Sequence, residues 1–274
     1  MKQLTDKLSK RIIELDVIRA IAVFLMVFDH FFFDMCNVIP MVFKTFPREL
    51  YEFSYDYLEW DFREIFRYVV LFVFFSISGI CCSFSKNNIN RGLKLLGIAL
   101  VLTLVTYIAG DIMNDKNFTI TFGVLHCISV SILLVGLLEK LKVNKYLYLI
   151  IGLLMVSVGA YFLLSKEYCY LGKCYVDFDS DPSYIVAIKQ ILGIKKYGGD
   201  SFPLLFNGGQ IFIGVFLGKL LYANKTSLLK NKQYRNNIVT LVGRNSLIIY
   251  FAHQIIIPII ISIVLLICGY KLNV

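Results

Sequence analysis

The stretch Asp16–Ile39, DVIRAIAVFLMVFDHFFFDMCNVI, is as apolar as a membrane span apart from a few polar side chains. At about 100° per residue, the eleven-residue step from Arg19 to His30 returns to within roughly 20° of the same helix face. Asp34 lies one turn beyond His30, on that face. Such a polar row is costly in lipid, so we expect it to face a protein interior or a wet cavity and to mark a functional site. The alternative interpretation is a polar seam between packed helices.

The composition of the chain is typical of a membrane protein. Of its 274 residues, 58% are hydrophobic and 17% are charged, whereas about 25% are charged in soluble domains. Apolar stretches of about 18 residues or more recur, which predicts transmembrane helices. We predict an all-α, polytopic bundle with about seven transmembrane helices, at 16–39, 66–84, 92–110, 120–139, 146–164, 203–222 and 245–269. No soluble domain or internal repeat is apparent, so residues 1–274 are predicted to form a single transmembrane domain.

The formal net charge of +9 is explained by membrane topology. Lys and Arg are concentrated in the N-terminal segment and in loops 85–91, 140–145 and 223–244, while segments 40–65 and 165–202 hold most acidic residues. Because cytoplasmic loops are enriched in Lys and Arg, this asymmetry predicts the N-terminus inside and the C-terminus outside. The charge therefore indicates a lipid bilayer as partner and no nucleic acid. The sequence is also compatible with an oligomer.

Two of the seven cysteines fall in the predicted outer loop 165–202. A disulfide between Cys169 and Cys174 and a pair of free thiols are both open interpretations in an oxidising exterior. The remaining cysteines lie in or at the ends of predicted spans, where small buried side chains are a simpler explanation than metal ligands.

All three histidines of the chain, His30, His126 and His253, fall inside predicted spans. A neutral imidazole accepts a proton from an amine or hydroxyl nucleophile, and a nearby carboxylate fixes its tautomer. Asp34, four residues after His30, is placed to supply that carboxylate. Zinc is the alternative, but no two histidines have the i, i+3 or i, i+4 spacing that would support it locally.

The depth of these groups suggests an extended ligand. His30 is 14 residues beyond Asp16, or about 21 Å from the cytoplasmic end of a core roughly 30 Å thick. Arg19 lies on the same face near the inner surface, where a guanidinium binds phosphate bidentately. Other candidate phosphate ligands on the predicted inner side are Arg91, Lys94 and Arg244. A donor molecule with phosphate groups at the inner surface and a reactive group at the end of a narrow arm would fit between Arg19 and His30.

Three motifs carry a family resemblance. Arg19 and His30, within the segment that begins at Leu15, resemble the first-helix signature of the transmembrane acyltransferase superfamily, which includes the acyltransferase type 3 proteins. Residues Phe122–Ile128 (FGVLHCI) and Val242–Tyr250 (VGRNSLIIY), the latter followed by His253, are similar to motifs of the heparan-α-glucosaminide N-acetyltransferase catalytic-domain family. The second family is the closer match, and its motifs are spread over most of the chain.

The resemblance implies a multi-pass enzyme of the bacterial plasma membrane that moves an acetyl group from cytoplasmic acetyl-CoA to an extracytoplasmic sugar amine or hydroxyl. It assigns coenzyme binding to Arg19 and the chemistry to His30. Together with the pattern of polar residues, the full set of predicted catalytic residues is His30, Asp34, His126 and His253, and that of predicted coenzyme ligands is Arg19, Arg91, Lys94, Arg244 and Asn245. The alternative is a proton-coupled transporter, because intramembrane Asp and His also form proton relays.

Overall fold

The computed structural model describes residues 12–112, 119–164, 183–196, 200–228 and 237–273. These residues form helices joined by turns, and within these ranges β-pairing is limited to two isolated bridges. The helices are α1 Ile13–Asn37, α2 Ile39–Val42, α3 Arg48–Glu59, α4 Asp61–Cys82, α5 Asn88–Ile112, α6 Val124–Lys140, α7 Lys145–Leu164, α8 Ser183–Leu192, a π-helical turn Leu204–Gly208, α9 Gly209–Leu221, α10 Ile238–Arg244 and α11 Ser246–Ile267. Cys169 and Cys174 lie outside the described residues.

The predicted all-helical class is confirmed, and each predicted span coincides with a helix. Among the described residues, five helical segments are long and apolar enough to cross a membrane: α4, α5, α7, the π-helical turn with α9, and α11. The other two predicted spans coincide with α1 and α6. These helices are not among the five because α1 carries several charged residues and α6 has 17 residues. The count of seven spans and the orientation of the termini stay predictions.

The described residues divide into two compact units. The first comprises those of Met1–Phe74 and Thr226–Val274, and the second those of Phe75–Lys225. In the first unit, α1 packs against α3, α10 and α11. The C-terminal end of α1 and the following α2 share a buried apolar cluster with α11, formed by Met35, Ile39, Phe43, Ile261 and Leu265. Burial of these apolar side chains orients α1, and this orientation determines the direction in which its polar face points.

In the second unit, α9 packs against α4 through glycines. A Cβ atom placed at Gly79 would overlap the carbonyl oxygen of Ile211, and one placed at Gly214 would overlap that of Ser76. The two backbones are therefore in direct contact, as is common where small residues line the interface of membrane helices. Gly214 is therefore a packing residue of this interface.

We expect Gly214→Ala to destabilise the protein, because its methyl group has no space against the backbone of α4. Overpacking of this kind costs about 1–3 kcal/mol. Gly97→Ala on α5 is the matched control, since a Cβ atom there meets nothing within 4 Å. In thermal unfolding of the detergent-solubilised protein, the midpoint should fall for Gly214→Ala and stay level or rise for Gly97→Ala. Equal midpoints for the two variants would contradict the backbone contact.

Candidate active site

His30 of α1 and His253 of α11 meet inside the first unit. Their ring centroids lie 4.7 Å apart, and the ring planes are nearly perpendicular, at 89°. His253 is buried, and its ring is 5.8 Å from that of Tyr250 one turn away. The sequence identified each histidine as a candidate, and the structure shows that these two form a pair.

Backbone carbonyls fix the tautomer of both rings. The Nδ1 atom of His30 lies 2.9 Å from the carbonyl oxygen of Met26, and that of His253 lies 3.2 Å from the carbonyl oxygen of Ile249. A carbonyl oxygen only accepts hydrogen bonds, so Nδ1 carries the proton in each neutral ring and Nε2 keeps its lone pair. The Nε2 atom of His253 is buried without a hydrogen-bond partner among the described residues. Each imidazole is thus prepared to accept a proton at Nε2.

Asp34 does not provide this orientation in the structure. Its spacing suggested a hydrogen bond to His30, but Nδ1 of His30 already donates to the carbonyl group of Met26 in its own helix. Asp34 is buried one turn away, and its Oδ2 atom has no hydrogen-bond partner in the described part of the chain. A buried carboxylate without partners is costly, so Asp34 is left as a candidate contact for a ligand and not as the group that orients His30.

Two predicted coenzyme ligands share a single carboxylate. The guanidinium of Arg19 donates to Oδ1 of Asp16 at 2.8 Å, and Nε of Arg244 lies 3.5 Å from Oδ2 of the same residue. Asp16 is only 4% exposed. A Cβ atom at Gly243 would overlap the carbonyl oxygen of Asp16, so the absence of a side chain there lets α10 approach α1. The motif Val242–Tyr250 therefore brings its arginine to the start of α1.

The remaining predicted coenzyme ligands are not brought to this pair by any described contact. Asn245 is exposed between α10 and α11, and its side-chain amide donates to the carbonyl group of Leu241 at 2.9 Å. Arg91 and Lys94 belong to the second unit. There, Nη1 of Arg91 lies 3.8 Å from the sulfur of Cys82, and Lys94 is exposed.

His126 also lies in the second unit, and both of its ring nitrogens are occupied. The backbone N–H of Gly123 donates to Nδ1 at 3.3 Å, which leaves the proton on Nε2 of the neutral ring, 3.0 Å from the hydroxyl oxygen of Thr103. That hydroxyl donates in turn to the carbonyl group of Ile120 at 2.8 Å. His126 therefore joins the start of α6 to α5 and is a positioning residue by geometry, in contrast to the histidine pair.

Sequence reasoning missed Arg63. In the structure, its guanidinium forms two hydrogen bonds of 2.7 Å to the carboxylate of Asp29, which also accepts a 3.2 Å hydrogen bond from the hydroxyl of Tyr57. Burial, and next the neighbouring carboxylate of Asp29, raise the pKa of Tyr57. An unexplained acidic residue in an apolar helix was the available signal, because such a group requires a partner.

Comparison with known proteins identifies one family. The chain matches the family model described as heparan-alpha-glucosaminide N-acetyltransferase, catalytic, over residues 11–255. The match extends over most of the chain and includes all three histidines as well as Arg19 and Arg244. No curated protein and no solved structure matches the chain.

We expect Asp16→Asn to destabilise the protein strongly, because two partly buried guanidinium groups lose their shared counter-ion. Breaking a buried ion pair costs about 3–5 kcal/mol of unfolding free energy. Because Arg19 is partly exposed, we expect a loss of roughly 3 kcal/mol for Asp16→Asn. Glu52→Gln is the matched control, since Glu52 forms an exposed ion pair with Arg48. Thermal unfolding midpoints should fall for Asp16→Asn and change little for Glu52→Gln; a small effect at Asp16 would contradict the shared role.

Proposed function

The chain belongs to the heparan-α-glucosaminide N-acetyltransferase catalytic family, and from this premise we propose that it transfers an acetyl group from cytoplasmic acetyl-CoA to an amine or hydroxyl of an extracytoplasmic sugar. Family membership makes it a membrane acetyltransferase and favours this function over a proton-coupled transporter. The proposal places it in a bacterial plasma membrane as a multi-pass enzyme.

The observation that carries the proposal is the pairing of His30 with His253. Two imidazoles with unprotonated Nε2 atoms meet in a bundle that is otherwise rich in apolar side chains. This is the arrangement that a general base requires, because it holds a proton acceptor in a fixed tautomer and orientation. A polar seam that only packed two helices would have no need of two free acceptors at one point.

In the proposed reaction, Nε2 of His30 accepts the proton of the acceptor amine or hydroxyl while the acceptor atom attacks the thioester carbonyl carbon. The carbon–sulfur bond then breaks, the thiolate of coenzyme A leaves, and the proton on His30 passes to the thiolate. A positive charge develops on His30 in this step, and the imidazole of His253 is a polar neighbour of it, with 4.7 Å between the ring centroids. The alternative is a transient acetyl group on His30. In that route Nε2 of His30 attacks the thioester carbonyl carbon, the carbon–sulfur bond breaks and the thiolate leaves; the acceptor atom then attacks the acetyl-imidazole, the nitrogen–carbon bond breaks, and the acceptor's proton passes to the thiolate.

The proposed phosphate end of the donor lies at Arg19 and Arg244. Eleven residues separate Arg19 from His30, so they are about 16 Å apart along α1, a distance suited to an extended arm between phosphates and thioester. Asp16 holds the two guanidinium groups in place from the buried side. Arg91, Lys94 and Asn245 are proposed as further ligands of the coenzyme.

We expect His30→Ala to lower acetyl transfer by at least about 100-fold, because general bases contribute roughly 10²–10⁴-fold. Binding of acetyl-CoA and the thermal unfolding midpoint should change little. The measurement is transfer of radiolabelled acetyl groups by the purified protein in lipid vesicles.

His253 and His126 serve as comparators for His30. His253→Ala should lower the rate by less than His30→Ala, since the proposed base is still present. His126→Ala should act mainly through stability, because His126 joins α5 to α6 by hydrogen bonds. Near wild-type transfer by His30→Ala would eliminate the proposed mechanism.

We expect Arg19→Ala to weaken the binding of acetyl-CoA by roughly 10- to 100-fold, because a charge-assisted hydrogen bond contributes about 1.5–3 kcal/mol. Arg19→Lys should retain part of the affinity, as it keeps the charge and loses the planar fork. Higher salt should weaken wild-type binding more than that of Arg19→Ala. Arg48→Ala, which removes an exposed guanidinium, is the control. Unchanged affinity in calorimetric titration of Arg19→Ala would remove this residue from the donor site.

A further inference from the structure

One buried acid of α1 is left incomplete by the fold. Asp34 is 6% exposed, and its Oδ2 atom has no hydrogen-bond partner in the described part of the chain. By contrast, Asp16 and Asp29 on the same helix are each paired with an arginine. Burying a carboxyl group without a partner carries a desolvation cost. The position of Asp34 therefore requires an explanation other than stability of the fold.

Asp34 lies between the histidine pair and an apolar cluster, all within the first unit. One turn earlier on α1, the ring of His30 contacts that of His253 on α11, with 4.7 Å between their centroids. Directly after Asp34, Met35 is buried in the apolar cluster that also includes Ile261 of α11. Contacts on both sides of Asp34 therefore join α1 to the same helix. Since residues four apart are neighbours on a helix surface, the carboxyl group lies beside the histidine pair.

The groups that are left incomplete at this point are hydrogen-bond acceptors. The Nδ1 atoms of His30 and His253 donate to carbonyl groups in their own helices, so each neutral ring accepts at Nε2. Nε2 of His253 is buried without a partner among the described residues. A carboxylate such as that of Asp34 also only accepts hydrogen bonds. A ligand that completes these groups must therefore present at least two hydrogens on nitrogen or oxygen.

The two substrates of the proposed reaction differ in this respect. The reacting end of acetyl-CoA is a thioester, which has a carbonyl oxygen and a sulfur atom but carries no N–H or O–H group. A sugar acceptor has hydrogens on its reacting amine or hydroxyl group and on the hydroxyl groups of neighbouring ring carbons. The acceptor can therefore donate to an imidazole and to a carboxylate at once, whereas the thioester can donate to neither.

We propose that Asp34 binds the acceptor, and that the acceptor carries a hydroxyl group next to the amine or hydroxyl that is acetylated. The reacting group gives its proton to Nε2 of His30, while the neighbouring hydroxyl donates a hydrogen bond to the carboxylate of Asp34. This inference rests on the proposed function and adds to it a chemical class for the acceptor. The primary hydroxyl of a hexopyranose is outside this class, because the neighbouring carbon bears the ring oxygen and no hydroxyl.

The first test measures acetyl transfer by the full chain in lipid vesicles, with methyl α-D-glucosaminide and methyl α-D-glucopyranoside as acceptors. Asp34→Leu should raise the KM of the acceptor roughly 10- to 100-fold, the range expected for loss of a hydrogen bond to a charged group. The KM of acetyl-CoA should stay within about twofold of wild type, because the donor does not contact Asp34. Asp34→Asn keeps an accepting carbonyl oxygen, so its acceptor KM should lie between those of wild type and Asp34→Leu.

Deoxy sugars test the neighbouring hydroxyl directly. In methyl α-D-glucosaminide the amine has one neighbouring hydroxyl group, which the 3-deoxy analogue lacks; for methyl α-D-glucopyranoside, the matching analogue lacks a hydroxyl next to the acetylated position. With wild type, this removal should raise the acceptor KM by about the factor that Asp34→Leu produces with the complete sugar. With Asp34→Leu, it should change the KM less than about twofold, because the effects of two groups in contact are not additive. Equal effects in the two proteins would overturn the inference.

The unfolding midpoint of the ligand-free Asp34→Leu protein should stay level or rise, because an unpartnered buried acid is removed. Tyr148→Phe is the matched control: it removes a buried, unpartnered hydroxyl on α7 and should leave the KM of both substrates unchanged. A lower midpoint of Asp34→Leu with a higher KM for both substrates would make Asp34 structural and overturn the inference, as would a higher KM for acetyl-CoA alone. A wild-type protein that acetylates no sugar would instead overturn the proposed function.

Discussion

The charged side chains of α1 impose the main constraint on this structure, because a charge in an otherwise apolar helix is costly without a partner. Asp16 is paired with Arg19 and Arg244, and Asp29 with Arg63. These ion pairs attach α10 and the beginning of α4 to α1, so the cost of charges in an apolar setting determines which elements pack there. Ion pairs and apolar burial therefore both determine which helices pack together in the first unit.

The histidine pair has a different status from these ion pairs. His30 and His253 satisfy their Nδ1 atoms within their own helices, so neither needs the other for hydrogen bonding. Their meeting therefore leaves proton-accepting capacity unused in the folded protein. Asp34 shows the same property, with a carboxyl oxygen that the described residues do not complete.

The sequence predicted the helices well because long apolar stretches specify them locally. It also identified Arg19, His30 and His253, since polar residues in such stretches stand out. The sequence did not predict contacts between residues that are far apart in the chain. Residue spacing indicates contacts within one helix, whereas Arg244 and Asp16 are separated by most of the chain. The same limitation explains why Arg63, the partner of Asp29, was missed. The error at Asp34 has a different cause: residue spacing places Asp34 and His30 on one helix face, but it does not show that Nδ1 of His30 is already bonded to the carbonyl group of Met26.

The source of the hydrogen bonds to His30 and His253 has an evolutionary consequence. A tautomer fixed by a neighbouring carboxylate is lost when that side chain mutates, whereas the carbonyl groups of Met26 and Ile249 persist whatever side chains those positions carry. The proton-accepting form of the pair is therefore protected from most single substitutions around it. In the proposed mechanism, the side chains around the pair can change, and with them the choice of acceptor, while the backbone of the two helices keeps both imidazoles in the same orientation.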